Sequence, residues 1–242
     1  MDFGCDVMDS TQIAVSATPT FAVSRPRFVP GWLTGARAVV PATLLALALL
    51  AVAFVDRPLA ALAKGGELPD GIDKFLEAAE HFGTFYGHVL AFLLIATLDP
   101  AHRRQIVRLA AAAWSAGLAA NVVKLCIART RPKYFDFDLI TAGYGFLGLA
   151  PGLEGGSRIQ GFPSAHTATA VAFAVALSHV YPRGRSAFYL IAGLVGFQRI
   201  ATNSHFASDV LAGAIVGWLI GRAFTSRNIL TQRLDTFEAA ST

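Results

Sequence analysis

The chain has 242 residues, of which 54% are hydrophobic and only 15% are charged. Because soluble domains average about 25% charged residues, this composition excludes an ordinary soluble domain, and it also excludes disordered, collagen-like and disulfide-rich scaffolds. The 20 basic and 16 acidic residues give a net charge of +4. No basic stripe interleaved with aromatic residues accompanies this excess, so no nucleic-acid partner is predicted.

Long apolar runs predict an integral membrane protein, since a helix needs about 20 apolar residues to cross a bilayer. Six predicted transmembrane helices cover approximately residues 38–55, 82–98, 106–126, 163–180, 187–200 and 209–224. No internal repeat is visible, so we expect one all-α polytopic membrane helix bundle. The predicted organisation is a flexible cytoplasmic N-terminal tail over 1–36, the bundle over 37–225 and a cytoplasmic C-terminal tail over 226–242.

The positions of the arginines predict the topology, because short cytoplasmic loops are enriched in Lys and Arg. Four arginine groups fall on one side if both termini are cytoplasmic: Arg25, Arg27 and Arg37; Arg103, Arg104 and Arg108; Arg183 and Arg185; Arg222, Arg227 and Arg233. Most acidic residues fall on the other side: Asp56, Glu67, Asp70, Asp73, Glu77, Glu80, Asp136, Asp138 and Glu154. We therefore predict a multi-pass protein of the cytoplasmic (inner) membrane.

Two segments on the predicted outer side are more than short connections. Apolar residues recur at helical spacing over 68–79, which indicates either a short helix at the membrane surface or an extension of the second span. The segment 129–162 is long and rich in glycine. Loops of this length are often functional, so this one could form a substrate entrance or could only be flexible.

Polar residues from separate spans meet at the predicted outer face. The third span ends near Lys124 and Arg131, the fourth begins at Pro163-Ser164-Ala165-His166, the fifth ends at Arg199, and the sixth begins near His205 and Asp209. Ionisable residues at membrane depth are costly and indicate function.

This set of residue types suits the binding and transfer of a phosphate group. Three cations can neutralise an oxyanion, and Pro163 in the first turn of a helix would leave backbone amides directed at an anion. His205 and Asp209 are four residues apart, so on a helix they would share a face, and the carboxylate would orient the imidazole for nucleophilic attack. His166 could act as the general acid.

The pattern Lys124-x6-Arg131-Pro132, Pro163-Ser164-Ala165-His166 and Arg199-x5-His205-x3-Asp209 resembles the three-part signature of the type 2 phosphatidic acid phosphatase (PAP2) superfamily, which includes bacterial lipid phosphatases and vanadium haloperoxidases. The resemblance implies that His205 is the nucleophile that forms a phosphohistidine, Asp209 its orienting partner and His166 the general acid. It implies phosphate binding by Lys124, Arg131, Ser164, Ala165 and Arg199. Two residues depart from the usual pattern, because Ala165 replaces a glycine and Gln198 replaces a serine.

We therefore expect a lipid phosphatase that needs no metal or other cofactor and acts at the outer face on phosphatidic acid, phosphatidylglycerophosphate, an isoprenyl diphosphate or a lipid A phosphate. A lipid phosphotransferase, a vanadate-dependent oxidase and, from another class, an anion transporter are the alternatives. Individually, Lys124 and Arg131 could be interfacial cations, Ser164 only a helix cap, and His205 with Asp209 a metal pair. The sequence predicts no oligomeric state.

Overall fold

A computed structural model of the chain describes Met1 and residues 36–66, 68–137, 145–149 and 156–239. In these residues it has nine α-helices and two short strands. The helices are α1 (Ala36–Leu50), α2 (Asp56–Gly65), α3 (Asp70–Glu80), α4 (Phe85–Leu98), α5 (Ile106–Cys126), α6 (Ala165–Val180), α7 (Arg185–Ala201), α8 (Ala207–Thr225) and α9 (Ile229–Ala239); the strands are β1 (Ile127–Arg129) and β2 (Phe146–Leu149), which pair antiparallel.

Some sequence-based predictions lie outside these residues. They concern the N-terminal tail apart from its first and last residues, the middle of the glycine-rich segment, and the positions of Glu67, Asp138 and Glu154.

The predicted all-α membrane bundle is confirmed, whereas the number of six spans stays a prediction. Within the described ranges, three helices are long and apolar enough to cross a membrane: Ala38–Gly65, Pro100–Cys126 and Ala207–Thr225. The first is continuous because a π-helical stretch, Ala51–Val55, joins α1 to α2. The pair α3 and α4 adds a fourth span if its two bent parts are counted together. With 16 residues, α6 is a shorter apolar helix.

Helix α6 lies at the centre of the bundle and packs against α5, α7 and α8. Small residues allow close approach of these helices. A Cβ atom built at Gly213 of α8 would lie 2.4 Å from the carbonyl oxygen of Ser164, and one at Gly217 would lie 2.3 Å from that of Ala168. The backbones of α6 and α8 are therefore in direct contact. Both helices begin at the same end of the bundle, called the upper end below.

Residues 68–79 largely form α3, a separate helix and not an extension of the next span. The axes of α3 and α4 differ by 72°, and α4 begins after Thr84, whose hydroxyl accepts a hydrogen bond from the Gly87 amide. Leu76 is buried, while Ile72 and Phe75 on the same helix are exposed. Helix α3 therefore has apolar residues both against the bundle and on its exposed side. This fits a helix at the membrane surface better than an extension of the second span.

The predicted C-terminal tail over 226–242 contains α9, which contacts the bundle at the end opposite to the upper end. Arg108 of α5 is 1% exposed and donates hydrogen bonds to the carboxylate of Glu238 (2.8 Å) and to the carbonyl oxygen of Phe224 (2.8 Å). It also pairs with Asp235. Helix α9 is thus paired to the bundle by charge, a feature that apolar periodicity does not indicate.

A buried ion network at the upper end connects α2, β1 and α8. The Arg129 guanidinium donates to Asp56 at 2.8 Å and to Asp209 at 2.6 Å, and all three side chains are at most 2% exposed. Asp56 also accepts a hydrogen bond from the Ser208 amide at 2.9 Å. The guanidinium lies 4.3 Å from the ring centroid of Phe206 and 4.4 Å from that of Phe146. Two carboxylates and two aromatic faces thus compensate the buried cation.

Loss of Arg129 should strongly destabilise the protein, because it leaves Asp56 and Asp209 buried together without a cation. We expect Arg129→Ala to lower the free energy of unfolding by about 3–5 kcal/mol, measured by thermal unfolding of the purified protein in detergent. The matched control is Arg158→Ala, since Arg158 lies nearby and is exposed. Equal melting temperatures for the two variants would show that the network contributes little to stability.

Candidate active site

The side chains predicted for the site come together at the upper end of the bundle. Lys124 is buried in the last turn of α5, Arg131 follows β1, and Arg199 lies in the last turn of α7. His166 lies in the first turn of α6. Its side chain interacts electrostatically with four of the other predicted residues, which are Arg199, His205, Lys124 and Arg131. Segments distant in sequence thus contribute three cations and two imidazoles to one site.

The start of α6 differs by one detail from the sequence-based expectation. Ser164 is the N-cap residue and α6 begins at Ala165, so Pro163 precedes the helix and does not lie in its first turn. The Ser164 hydroxyl oxygen accepts hydrogen bonds from the amide (3.4 Å) and the hydroxyl (2.9 Å) of Thr167. Ser164 is therefore a cap, and its own hydroxyl hydrogen still has the capacity to donate to an anion.

The amides of Ala165 and His166 belong to the first turn of α6, where helix geometry provides no intrahelical acceptor. Such amides, together with the helix dipole, favour a negative charge at this end. The methyl group of Ala165, where the family pattern has glycine, leaves this backbone arrangement helical. The second departure, Gln198, is 3% exposed within α7, and its main-chain carbonyl oxygen accepts a hydrogen bond from the Thr202 hydroxyl at 2.9 Å.

His205 lies in the turn before α8, which begins at Ala207, so the predicted shared helix face of His205 and Asp209 is wrong. Its Nδ1 atom lies 2.6 Å from the carbonyl oxygen of Gly161. Since a carbonyl oxygen can only accept, Nδ1 carries the hydrogen and Nε2 of the neutral ring has a free lone pair. Burial lowers the pKa of the His205 imidazole, and the nearby Asp209 carboxylate opposes this shift. Both the tautomer and the burial favour a nucleophilic Nε2.

Asp209 lies close to His205 even though the two residues are not on one helix. Its Oδ2 atom is 3.8 Å from His205 Nδ1 and accepts a hydrogen bond from the Phe206 amide at 2.8 Å. Its Oδ1 atom accepts from Arg129 at 2.6 Å. The carboxylate is therefore fixed from both sides, and the His205 ring donates its hydrogen bond to the Gly161 carbonyl oxygen.

The turn between α7 and α8 positions Arg199. One terminal nitrogen of its guanidinium, Nη2, donates to the Ser204 hydroxyl at 2.9 Å. The other, Nη1, contacts the carboxylate of Glu80 from α3. The same carboxylate oxygen lies 3.3 Å from Nε2 of His166. An acidic residue thus bridges two members of the predicted site.

Five residues at the site were not recognised from the sequence as site residues: Asp56, Glu80, Arg129, Gly161 and Ser204. The sequence shows Arg129 as a further cation between Lys124 and Arg131, but it does not indicate which residues pair with Arg129. Gly161 has a packing signal that only the structure provides, because a Cβ atom there would lie 2.8 Å from the Arg129 carbonyl oxygen.

The site has an excess of positive charge that suits an anion. Among the described residues, no group of three or more His, Cys, Asp or Glu side chains is arranged to hold a metal ion. Asp209 and Asp56 are both paired with Arg129. Three further cations, Lys124, Arg131 and Arg199, would repel a divalent cation near His205.

Known proteins with similar sequences are named as phosphatases. Over 101 residues the chain is 39% identical to a lipid A 1-phosphatase from Rhizobium johnstonii, an alignment that covers 42% of this chain and only 38% of that protein. Over 137 residues it is 31% identical to a decaprenylphosphoryl-5-phosphoribose phosphatase from Mycolicibacterium smegmatis, which covers 56% of this chain and 68% of that protein.

Among solved structures, LpxE from Aquifex aeolicus has a similar fold, with a TM-score of 0.52, 20% identity and coverage of 72% of this chain and 96% of that one. At this identity the likeness concerns the fold alone. A sequence model of the PAP2 superfamily matches residues 105–229, a range that includes all three blocks of the signature. The chain is therefore a member of the PAP2 superfamily.

Proposed function

We propose that the chain is an integral membrane lipid phosphatase that hydrolyses a lipid phosphomonoester or diphosphate through a phosphohistidine intermediate. The observation on which this rests is the meeting of a neutral, nucleophilic His205 with Lys124, Arg131 and Arg199 at the start of α6. The relatives, which are named as phosphatases of lipid A and of a decaprenyl-linked sugar phosphate, support a lipid substrate.

An apolar groove beside the site supports the same substrate class. It has a volume of about 610 Å³ and lies between α3 and α4 on one side and α6 and α7 on the other. Its wall runs from Phe82, close to the upper end, to Tyr181 after the end of α6. An acyl or isoprenyl chain in this groove would place a headgroup phosphate near His166 and Arg199.

In the proposed reaction, His205 Nε2 attacks the phosphorus and the bond between phosphorus and the lipid oxygen breaks. His166 gives a proton to that departing oxygen, while the three cations and the amides at the start of α6 bind the phosphoryl oxygens. A water molecule then attacks the phosphohistidine and gives its proton to His166. Inorganic phosphate leaves and His205 is restored. Asp209 and the Gly161 carbonyl stabilise the imidazolium that forms in between.

We place this site at the outer face of the cytoplasmic membrane, with both termini in the cytoplasm. The support for this orientation is the position of the arginines in the short loops. In the structure, the arginines that follow α6 lie at the end opposite to the site, and so does Arg108, which pairs with α9.

Phosphate release from a panel of lipids is the direct test of the function. We expect turnover of at least one of phosphatidic acid, phosphatidylglycerophosphate, an isoprenyl diphosphate or lipid A in vesicles, and we expect it to persist in EDTA because the three cations provide the positive charge at the site. Orthovanadate should inhibit competitively. A rate that EDTA abolishes and Mg²⁺ restores would contradict the metal-free mechanism, and no release from any of the lipids would contradict the function.

Replacement of His205 and replacement of His166 should affect the activity in different ways. His205→Ala removes the nucleophile, so activity should fall to background and no phosphohistidine should form from labelled substrate. His166→Ala should lower the rate by about 10²–10⁴-fold and should recover in part with a nitrophenyl phosphate ester, whose leaving group needs no proton. His102→Ala, on the far side of the bundle, is the control. Phosphohistidine in the His205→Ala protein, or equal rescue of both variants, would exclude this division of roles.

Cysteine labelling tests the orientation. Ser157 and Ser186 are both exposed and lie beyond opposite ends of α6, Ser157 in the turn Gly156–Arg158 and Ser186 in the first turn of α7. In a background with Cys5 and Cys126 replaced by serine, Ser157→Cys should react with an impermeant thiol reagent added to intact cells, whereas Ser186→Cys should react only after the membrane is permeabilised. The reverse pattern would show that the site faces the cytoplasm.

A further inference from the structure

Glu80 is an acidic residue inside a site that otherwise collects positive charge. One oxygen of its carboxylate contacts Nη1 of Arg199 and lies 3.3 Å from Nε2 of His166. Glu80 is the last residue of α3 and lies outside the range 105–229 that the family model matches. Its contacts are therefore a property of this chain that membership of the superfamily does not by itself provide.

The carboxylate occupies contacts that the proposed reaction needs. One terminal nitrogen of Arg199, Nη2, already donates to Ser204, and the other, Nη1, contacts Glu80, so the carboxylate competes with an incoming phosphate oxygen for this guanidinium. His166 is the proposed proton donor, and the same carboxylate oxygen lies beside its Nε2. A phosphate group can engage both residues only when the Glu80 carboxylate has moved away from them.

The backbone that presents Glu80 is fixed, whereas its side chain has room to move. A Cβ atom built at Gly83, three residues further on, would lie 2.6 Å from the carbonyl oxygen of His166, so the end of α3 packs directly on α6. The Glu80 side chain itself remains 21% exposed. Displacement therefore requires only a rotation of the side chain towards solvent, without movement of the helix.

We propose that Glu80 determines specificity by acting as an internal competitor for the phosphate contacts of Arg199 and His166, so that dianionic phosphomonoesters bind and monoanionic phosphodiesters are excluded. This inference rests on the proposed function, because it requires that Arg199 and His166 face the substrate phosphate.

The discrimination follows from charge. A phosphomonoester has a charge of about −1.5 to −2 near neutral pH and three terminal oxygens, whereas a phosphodiester has one negative charge and two such oxygens. Exchange of a carboxylate for a phosphodiester replaces one negative charge by another and gains nothing at Arg199. Exchange for a phosphomonoester adds charge that Lys124 and Arg131 also neutralise.

The surroundings of the site make such a competitor useful. The surface of a bilayer is covered with phospholipid headgroups, and most of these are phosphodiesters. A site with three cations and no such carboxylate beside this surface would be occupied by these headgroups and inhibited. With the Glu80 carboxylate at Arg199, a ligand binds only if it has more negative charge than a bulk phospholipid headgroup.

The test compares wild type with Glu80→Gln, which keeps the shape and removes the charge, and with the control Glu77→Gln, an exposed residue one turn earlier on α3. The first measurement needs no turnover: the dissociation constant of inorganic phosphate, obtained from thermal-shift titration. We expect Glu80→Gln to bind phosphate at least about tenfold more tightly than wild type, as loss of one opposing charge predicts. Glu77→Gln should equal wild type. If Glu80→Gln fails to fold, Glu80→Ala serves the same purpose.

The second measurement uses turnover of a lipid phosphomonoester in mixed micelles with increasing phosphatidylglycerol, a monoanionic phosphodiester. It should inhibit Glu80→Gln competitively and leave wild type and Glu77→Gln nearly unaffected. Unchanged phosphate affinity in Glu80→Gln would overturn the inference. This includes the case in which the turnover number of Glu80→Gln falls while its phosphate affinity stays the same, because Glu80 would then act only through His166. If neither wild type nor Glu80→Gln bound phosphate, the proposed function would fail together with the inference.

Discussion

The buried guanidinium of Arg129 is the interaction on which the upper end of the bundle depends. A cation without solvent needs compensating charge, and here Asp56 and Asp209 provide it from two helices that are far apart in sequence. Because Asp209 is also hydrogen-bonded to the Phe206 amide, the same network fixes the start of α8. The turn that contains His205 immediately precedes this point. The need to compensate the buried charge of Arg129 thus determines where His205, the candidate nucleophile, lies.

The start of α8, fixed by this network, in turn fixes the start of α6, where the phosphate is proposed to bind. The Ser164 amide donates to the Asp209 carbonyl oxygen at 2.9 Å, so the starts of α6 and α8 are bound to each other directly. The start of α6 presents amides, and His166 in its first turn lies near Lys124 and Arg131. The positive character of the site therefore comes from backbone and side chains together. Whereas the Asp209 carboxylate is paired with Arg129, the Glu80 carboxylate contacts a cation that the substrate is proposed to need.

Most helices of this protein are predictable from its sequence, whereas most polar contacts between them are not, and the reason is physical. Apolar runs and the signature blocks are local patterns, and the predicted third span over 106–126 coincides with α5. By contrast, Asp56 and Glu80 were visible only as acidic residues on one side of the membrane, because their partners lie 73 and 119 positions away in the chain. His205 illustrates a different error, since spacing of four residues indicated a shared helix face where the structure has a turn.

The direct backbone contact between α6 and α8 has a mechanical consequence. Two helices with no side-chain layer between them at Gly213 and Gly217 cannot slide or separate without losing contacts along their length. The wall that α6 contributes to the apolar groove is therefore held in place from behind by α8. Adjustment of the groove to the width of a lipid chain is left to the side chains of α3, α4 and α7, which line the rest of it.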